Sequence, residues 1–373
     1  MKTWQKAGLT ALAGSLVATS AFSGAMTVSG TANLTYTGNT GAQDTVGTAG
    51  TGNGVDGARW GINKTISFSG SGEMENGWTV SVSQSLTDGS STGLGMTLDM
   101  GDAGTLNYEA DTGQRGIGKI RDMLPSADEG FDNGIDVNGT NSGGGVSGRV
   151  STGASGFHYS KAMDMIEIGV GYTPKGGSTN GSGGTSGTGG TASGTSAFVK
   201  IDPMDGLEIG FGVGEAAAAS SGDKSQTDDH QTVYVSYVYG PLTVAYQNST
   251  IDTYTSTQSD DESTRWGVLY AVNDEMSISY QDHLNEDSVN SATDEEAIHY
   301  GASFAVNDDL TISYGRQTVE IQGAASDEVN SGFSASYTMG SMKLVGYVNK
   351  TENTGGASAS NDEGKGVTLS ISF

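Results

Sequence analysis

The sequence has no cysteine and only 4 prolines among 373 residues, and its hydrophobic fraction of 34% is low for a chain of this length. The absence of cysteine excludes a disulfide-stapled fold and suits a protein that crosses an oxidising compartment. A low hydrophobic fraction disfavours a conventional large core. No change of composition indicates a domain boundary, and beyond the first residues no apolar run is long enough for a membrane helix. Glycine and acid are abundant instead, with 60 glycines and a formal net charge of −26.

Residues 1–25 are typical of a secretory signal peptide. Lys2 and Lys6 precede an uncharged stretch of small and apolar residues, and Ser23 and Ala25 are the small side chains that a signal peptidase requires. We expect cleavage after Ala25, which leaves residues 26–373 as an exported, more acidic chain. An anchoring helix is the alternative, but the apolar stretch is short for a membrane span.

Beyond residue 25 the dominant pattern has a period of two. Apolar side chains alternate with Gly, Ser, Thr, Asn and Gln in stretches such as WTVSVSQSL (78–86), LEIGFGV (207–213), AIHYGASFAV (297–306) and GVTLSISF (366–373). Strict alternation indicates β-strands with one apolar face and one wet face.

The chain also repeats a hairpin. YAVNDEMSISYQDH (270–283) and FAVNDDLTISYGRQ (304–317) each predict a strand, a short Val-Asn-Asp turn and a returning strand. Longer polar stretches, such as 251–263 and 284–296, separate such hairpins, so short turns alternate with long loops. A sandwich or a propeller also repeats strands, but does not separate short and long connections so regularly.

Together these patterns predict an all-β fold, a closed transmembrane antiparallel β-barrel. In lipid every backbone polar group needs a partner, so the sheet must close and its outer face must be apolar. We count eighteen strands, while sixteen stays open, and a barrel this wide is not filled by its inward side chains. A soluble β-sandwich is the alternative. The tyrosines expected in an interfacial aromatic belt are Tyr36, Tyr172, Tyr246, Tyr280, Tyr300 and Tyr314.

One connection, residues 111–153, is far longer than its neighbours and contains apolar residues that a solvent-exposed loop would not need. If this loop folds into the barrel, Ile117, Ile120, Met123 and Leu124 could pack against the inner wall. Its charged side chains are then candidates for a pore constriction: Arg115, Lys119, Arg121, Asp122, Asp128, Glu129, Asp132 and Asp136.

In these features the chain resembles the general porins of the Gram-negative outer membrane, most closely those of alphaproteobacteria. The resemblance covers the mature chain and is carried by the signal peptide, SGTANLTYTG (29–38), LDMGDAGTLNYEAD (98–111) before the long third loop, and LSISF (369–373). It implies that the third loop folds into the lumen and faces basic residues on the wall, and that the protein is a homotrimer. The family norm of sixteen strands differs from the eighteen counted here.

The alternation of side chains between the two faces of each strand supplies candidates for the pore wall. If Trp60 and Trp266 face outward in RWGIN and RWGVL, the preceding arginines point inward. Each arginine could instead pair with a neighbouring acid or a lipopolysaccharide phosphate. The wall candidates are Arg59, Arg265, Glu167, Glu208 and His299.

Two further side-chain groups bear on cofactors and chemistry. Acidic clusters in the outer loops could bind calcium, best at Asp128, Glu129 and Asp132, although none has EF-hand spacing and a solvated acidic rim is the alternative. No other cofactor is predicted. The four histidines form no evident Ser–His pair on an outward rim, so no enzyme activity is predicted.

Lys64 falls on the apolar row of its strand. A charge facing lipid is costly, so a bulge or a subunit interface must accommodate it.

The predicted function is passive diffusion of small hydrophilic solutes and ions across the outer membrane, weakly cation-preferring because of the acidic excess. The expected partners are membrane lipid, lipopolysaccharide and these solutes, and no nucleic acid. A substrate-specific channel is the closest alternative, because such channels also use eighteen strands. A structural or surface barrel without conductance is a third possibility.

Overall fold

The computed structural model describes residues 26–41, 57–109, 116–127, 156–173, 193–217, 227–253, 261–287, 294–359 and 361–373. The predicted signal peptide, residues 1–25, lies outside these ranges. Within them, no helix has both the length and the apolar character needed to pass through a membrane.

The described residues contain eighteen strands in one antiparallel sheet. Each strand pairs with its neighbours in sequence, and β1 also pairs with β18, so the sheet closes into a barrel. The eighteen-strand count is therefore confirmed. The strands are β1 Met26–Gly41, β2 Gly57–Glu73, β3 Thr79–Thr87, β4 Ser90–Asp99, β5 Thr105–Glu109, β6 Gly156–Met163, β7 Ile166–Thr173, β8 Gly194–Met204, β9 Leu207–Ala217, β10 Thr227–Tyr239, β11 Leu242–Asp252, β12 Asp261–Ala271, β13 Met276–Asp287, β14 Glu295–Asn307, β15 Leu310–Ile321, β16 Glu328–Met339, β17 Met342–Glu352 and β18 Asp362–Ser372.

The two repeated hairpins share one asparagine contact. The Oδ1 atom of Asn273 accepts hydrogen bonds from the backbone N–H groups of Glu275 (2.9 Å) and Met276 (2.7 Å). Asn307 makes the same pair of bonds in the turn between β14 and β15. An asparagine that satisfies N–H groups two and three positions onward stabilises a tight reversal. The Val-Asn-Asp motif therefore fixes where these strands turn, at what we call the short-turn end of the barrel.

The sheet has an apolar face and a polar face, as the alternation predicted. Large side chains are exposed on the apolar face, among them Trp60 (68%) and Tyr300 (54%). Aromatic rings contact one another across strands there, with centroids 5.0 Å apart for Trp266 and Tyr280 and 5.2 Å for Tyr280 and Tyr300. These rings form the aromatic belt, in the arrangement expected where apolar and aqueous surroundings meet.

The wall is low at the β3–β4 hairpin. These two strands have 9 and 10 residues, whereas β10 and β14 have 13 each. The β3–β4 turn ends beside the middle of β2, where the backbone N–H of Asp88 donates to the carbonyl of Lys64 (3.0 Å). Lys64 Nζ lies 3.5 Å from Asp88 Oδ1. Lys64 does lie on the apolar face, and this turn supplies its partner.

Candidate pore constriction

Residues 116–127, the described part of the long third loop, lie across the polar face of strands β6 to β13. We call residues 116–127 the loop segment. Side chains of the barrel wall form hydrogen bonds with its main chain. The hydrogen bonds are Gly116 N to His158 Nδ1 (3.1 Å), Ile117 N to Ser196 Oγ (3.4 Å), Gln247 Nε2 to Ile120 O (2.8 Å), Met123 N to Gln247 Oε1 (3.1 Å), Arg265 Nη2 to Arg121 O (2.8 Å), Gln281 Nε2 to Pro125 O (2.9 Å) and Ala127 N to Ser279 Oγ (3.0 Å).

Gln247 is the centre of this contact. Its side chain is fully buried, and besides its two bonds to the loop segment it donates to Thr232 Oγ1 (2.9 Å) and accepts from Arg265 Nη2 (3.1 Å). Arg265 is 1% exposed, and its Nη1 lies 3.7 Å from an Asp122 carboxylate oxygen. Arg265 therefore binds the loop segment, and its charge is partly neutralised by Asp122.

Apolar side chains fill the space between the loop segment and the wall. Ile117 and Ile120 are buried against Phe198 and Tyr234, with Met123 packed beside them. Glycine on β9 makes this approach possible, because a Cβ at Gly212 would lie 2.7 Å from Ile117 Cγ1 and 2.9 Å from Ile120 Cδ1. The apolar residues of the third loop, which a solvent-exposed loop would not need, thus pack against the polar face.

The aromatic side chains of this contact lie over glycines of the next strand. A Cβ at Gly169 would fall 2.0 Å from Phe198 Cε1, and one at Gly210 would fall 1.9 Å from Tyr234 Cε1. The Tyr234 hydroxyl donates to Glu208 Oε1 at 2.6 Å, which fixes the ring in place. Glycine is required at these two positions because the ring occupies the space of any side chain.

Substituting Gly210 with alanine is expected to lower the free energy of unfolding by about 1–3 kcal/mol, because the added methyl group displaces a buried ring. Urea unfolding of the folded barrel, followed by tryptophan fluorescence, measures this. Gly61→Ala is the control, since Gly61 also lies on the polar face but has no atom within 4 Å of a Cβ position. Equal losses in the two variants would contradict the packing described.

A charged cluster lies on the polar face of β7 to β9, next to this aromatic contact. Lys200 Nζ is 2.9 Å from Glu208 Oε2 and 3.7 Å from Glu167 Oε2. Glu167 and Glu208, which the alternation predicted to face the pore, are thus joined by Lys200, which was not among the predicted residues. The alternation in the sequence predicts that Lys200 lies on the polar face, two residues after Phe198, and the register pairs it directly with Glu167.

The remaining predicted residues are scattered. Arg59 is exposed on the polar face of β2, away from the strands that the loop segment touches. His299 is buried on β14, opposite Gln281. Within the loop segment, Lys119, Arg121 and Asp122 are exposed. The other predicted constriction residues lie outside the described residues: Arg115, Asp128, Glu129, Asp132 and Asp136.

A metal site cannot be assembled from the described residues, in which no group of three or more His, Asp or Glu side chains is placed to hold an ion. The calcium candidates Asp128, Glu129 and Asp132 are not among them. Calcium binding there stays a prediction.

Comparison with known proteins gives one family and one fold. The family model described as Gram-negative porin matches residues 7–315. The chain belongs to the Gram-negative porin family. Solved structures agree in fold: a mutant of Rh. blastica porin has 13% identity and a TM-score of 0.50, and a porin refined at 1.8 Å has 12% identity and a TM-score of 0.52. Each match covers 94% of this chain and 100% of the other. A search of curated protein sequences finds no match.

This porin is therefore a transmembrane β-barrel of the Gram-negative outer membrane, and its family is one of channels rather than enzymes. The resemblance inferred from the sequence is confirmed at the level of family, fold and location.

Proposed function

We propose that the polar face of this porin encloses a water-filled passage through which small hydrophilic solutes and ions diffuse passively. The alternation supports this, because side chains on the polar face are mainly Gly, Ser, Thr, Asn and Gln, which water solvates well. An eighteen-strand barrel is too wide to be filled by such side chains. Conductance in a planar bilayer tests the proposal, and a folded barrel that inserts without conducting would refute it in favour of a structural protein.

The observation that carries the proposal is the contact between the loop segment and the polar face from β6 to β13. A segment fixed on that face would narrow the passage and set a size limit. We extend this to the whole loop, residues 111–153, as the constriction, with its charged residues at the narrowest part. Of these, Lys119, Arg121 and Asp122 are exposed on the loop segment, as expected of side chains that meet solutes.

A general channel is favoured over a substrate-specific one. Specific channels use rows of aromatic side chains along the passage, whereas Phe198 and Tyr234 are covered by the loop segment. The eighteen strands keep the specific channel as a second candidate. Block of single-channel current by one sugar at low concentration would favour it.

We propose a weak preference for cations, because acids outnumber bases in the chain and in the cluster around Lys200. The double variant Glu167→Gln, Glu208→Gln leaves Lys200 without its carboxylates. The cation-to-anion permeability ratio should then fall roughly two- to fivefold, since a unit charge at about 4 Å in water is worth about 1 kcal/mol before screening.

Reversal potentials in a salt gradient measure this ratio. The control is Glu262→Gln, Glu296→Gln, which removes two exposed acids from the apolar face. If the wild-type porin selects anions, the cation preference is wrong. If both double variants lower the cation-to-anion permeability ratio equally, the cluster around Lys200 does not cause the cation preference.

We further propose that the low wall at the β3–β4 hairpin is the interface of a homotrimer. This hairpin ends beside the middle of β2, so it covers less of the apolar band than the 13-residue strands β10 and β14 do. The ion pair of Lys64 and Asp88 lies on the apolar face of this region, where lipid would not solvate it. Neighbouring copies would cover both. A mass of three copies in mild detergent is expected, and a stable monomer would refute the interface.

Calcium at Asp128, Glu129 and Asp132 is a separate proposal that rests on the acidic composition of that stretch. Titration of chelator-treated porin with calcium, against the triple variant with amides at these positions, tests it.

A further inference from the structure

Two apolar side chains, Val345 and Tyr347, lie half-exposed on the polar face of β17. Leu344, the residue before Val345, is exposed on the apolar face, as the alternation requires. Phe198 and Tyr234 also lie on the polar face, but they are covered by the loop segment. Tyr347 therefore presents an aromatic ring on the wetted side of the wall, where a passing solute can reach it.

A glycine of the neighbouring strand fixes the position of this ring. Tyr347 pairs with Gly366 of β18, and a Cβ at Gly366 would fall 2.5 Å from both Cε1 and Cζ of Tyr347 and 2.6 Å from its hydroxyl oxygen. The ring thus occupies the space of any side chain at position 366. Because one side of the ring is against the backbone of β18, its exposed part is turned toward the interior of the barrel.

Tyr347 lies at the height of the loop segment, on the far side of the barrel. It is the sixth residue of β17, a strand that begins at the short-turn end. Gly212, Gln247 and Gln281 lie against the loop segment and are the sixth residues of β9, β11 and β13, which begin at the same end. Round the closed sheet, β17 is eight strands from β9 in one direction and ten in the other. A solute that passes the loop segment therefore also passes Tyr347.

The surroundings of this ring are polar but uncharged. The residues that flank it on the polar face are Ser334, Ser336, Val345, Asn349, Gly366 and Thr368. On the polar rows of β17 and β18, the nearest charged residues are Lys343 and Asp362, each four positions away from Tyr347 or from its partner Gly366, or about 13 Å along the strand. A charged solute would find no counter-ion here, whereas the hydroxyl groups of a neutral solute would find hydroxyl partners.

We propose that Tyr347 is the wall residue that binds uncharged sugars in their pyranose form as they pass the loop segment. The C–H groups of a pyranose form an apolar face that stacks on the aromatic ring, while the hydroxyl groups at its rim bond to the serine and threonine side chains nearby. The inference rests on the proposed function, because the sugar must enter the passage. A single ring is not a row of aromatics, so the contact is weak and changes the rate at which sugars pass without restricting the channel to one of them.

The test compares glucose with mannitol, a polyol of similar mass that has no ring, by the concentration at which each halves the KCl current in a planar bilayer. For the wild type, this concentration should be roughly three- to tenfold lower for glucose. Tyr347→Leu should make the two solutes equal, because leucine is apolar but has no ring. Tyr347→Phe should keep the difference and Tyr347→Trp should increase it. The control, Tyr337→Leu, removes a tyrosine from the apolar face of β16 and should behave like the wild type.

The comparison separates this contact from the width of the passage, because a wider passage affects both solutes alike. A wild-type porin that conducts KCl but responds equally to glucose and mannitol would overturn the sugar contact and leave passive diffusion standing. Persistence of the difference in Tyr347→Leu would also overturn it. A Tyr347-dependent effect of nicotinamide, a flat uncharged aromatic solute, without one of glucose would assign the ring to aromatic solutes instead. Absence of KCl conductance would refute the proposed function itself, and the sugar contact with it.

Discussion

Replacement of Gln247 by leucine is expected to release the loop segment from the wall and to raise the single-channel conductance. Leucine has a similar volume but makes none of the four hydrogen bonds of Gln247. The Ile120 carbonyl, the Met123 N–H group and the Arg265 guanidinium would each lose a buried partner, at a cost of roughly 1–3 kcal/mol apiece. Because these groups lie in the middle of the segment, their loss should free its centre.

Planar-bilayer recordings measure the effect, with a variant lacking residues 116–127 as the upper bound of conductance. The expected order is wild type, then Gln247→Leu, then the deletion. Gln84→Leu is the matched control, since Gln84 lies on β3, outside the contact, and bonds to Ser91. Wild-type conductance in both Gln247→Leu and the deletion variant would show that the loop segment does not limit the passage.

Substitution of Gly212 by leucine should also detach the loop segment, because the new side chain would occupy the space that Ile117 and Ile120 fill. The new Cβ would fall within 3 Å of Ile117 and Ile120, which are 2% and 0% exposed and have no room to move aside. Overpacking of this kind costs about 1–3 kcal/mol, so the population of the detached segment should rise roughly tenfold or more.

Limited trypsin digestion of the folded porin detects the detached state, because Lys119 and Arg121 lie within the loop segment. Cleavage there should be faster in Gly212→Leu than in the wild type. Gly61→Leu adds the same side chain to the polar face at a site with open space and should be cleaved at the wild-type rate. Equal cleavage of the two variants would mean that the contact at Gly212 does not hold the segment.

The barrel could be predicted from the sequence because its determinants are local. Alternation specifies which side chains share a face, and the Asn273 and Asn307 turns set where strands reverse. Even the position of Lys64 on the apolar face followed from parity alone. Its partner did not, because Asp88 reaches Lys64 only through the unusually short β3–β4 hairpin.

The contacts of the loop segment could not be predicted in the same way. Its hydrogen-bond partners lie on five strands and are 42 to 156 residues away in sequence, and nothing in the alternation distinguishes Gln247 from other polar-row residues. Arg265 was predicted to face the pore, but whether a polar-row arginine meets solutes or binds a loop depends on what packs over it. Lys200, by contrast, is predictable from the sequence, because it lies on the polar face directly opposite Glu167.

The wall binds residues 116–127 mainly through their backbone, and the side chains of Lys119 and Arg121 are exposed. If this segment narrows the passage as proposed, natural variation at Lys119 or Arg121 would alter which molecules the bacterium admits without disturbing how the protein folds. A lineage facing a new nutrient or toxin could retune uptake by single codon changes, while the architecture that holds the filter stays the same.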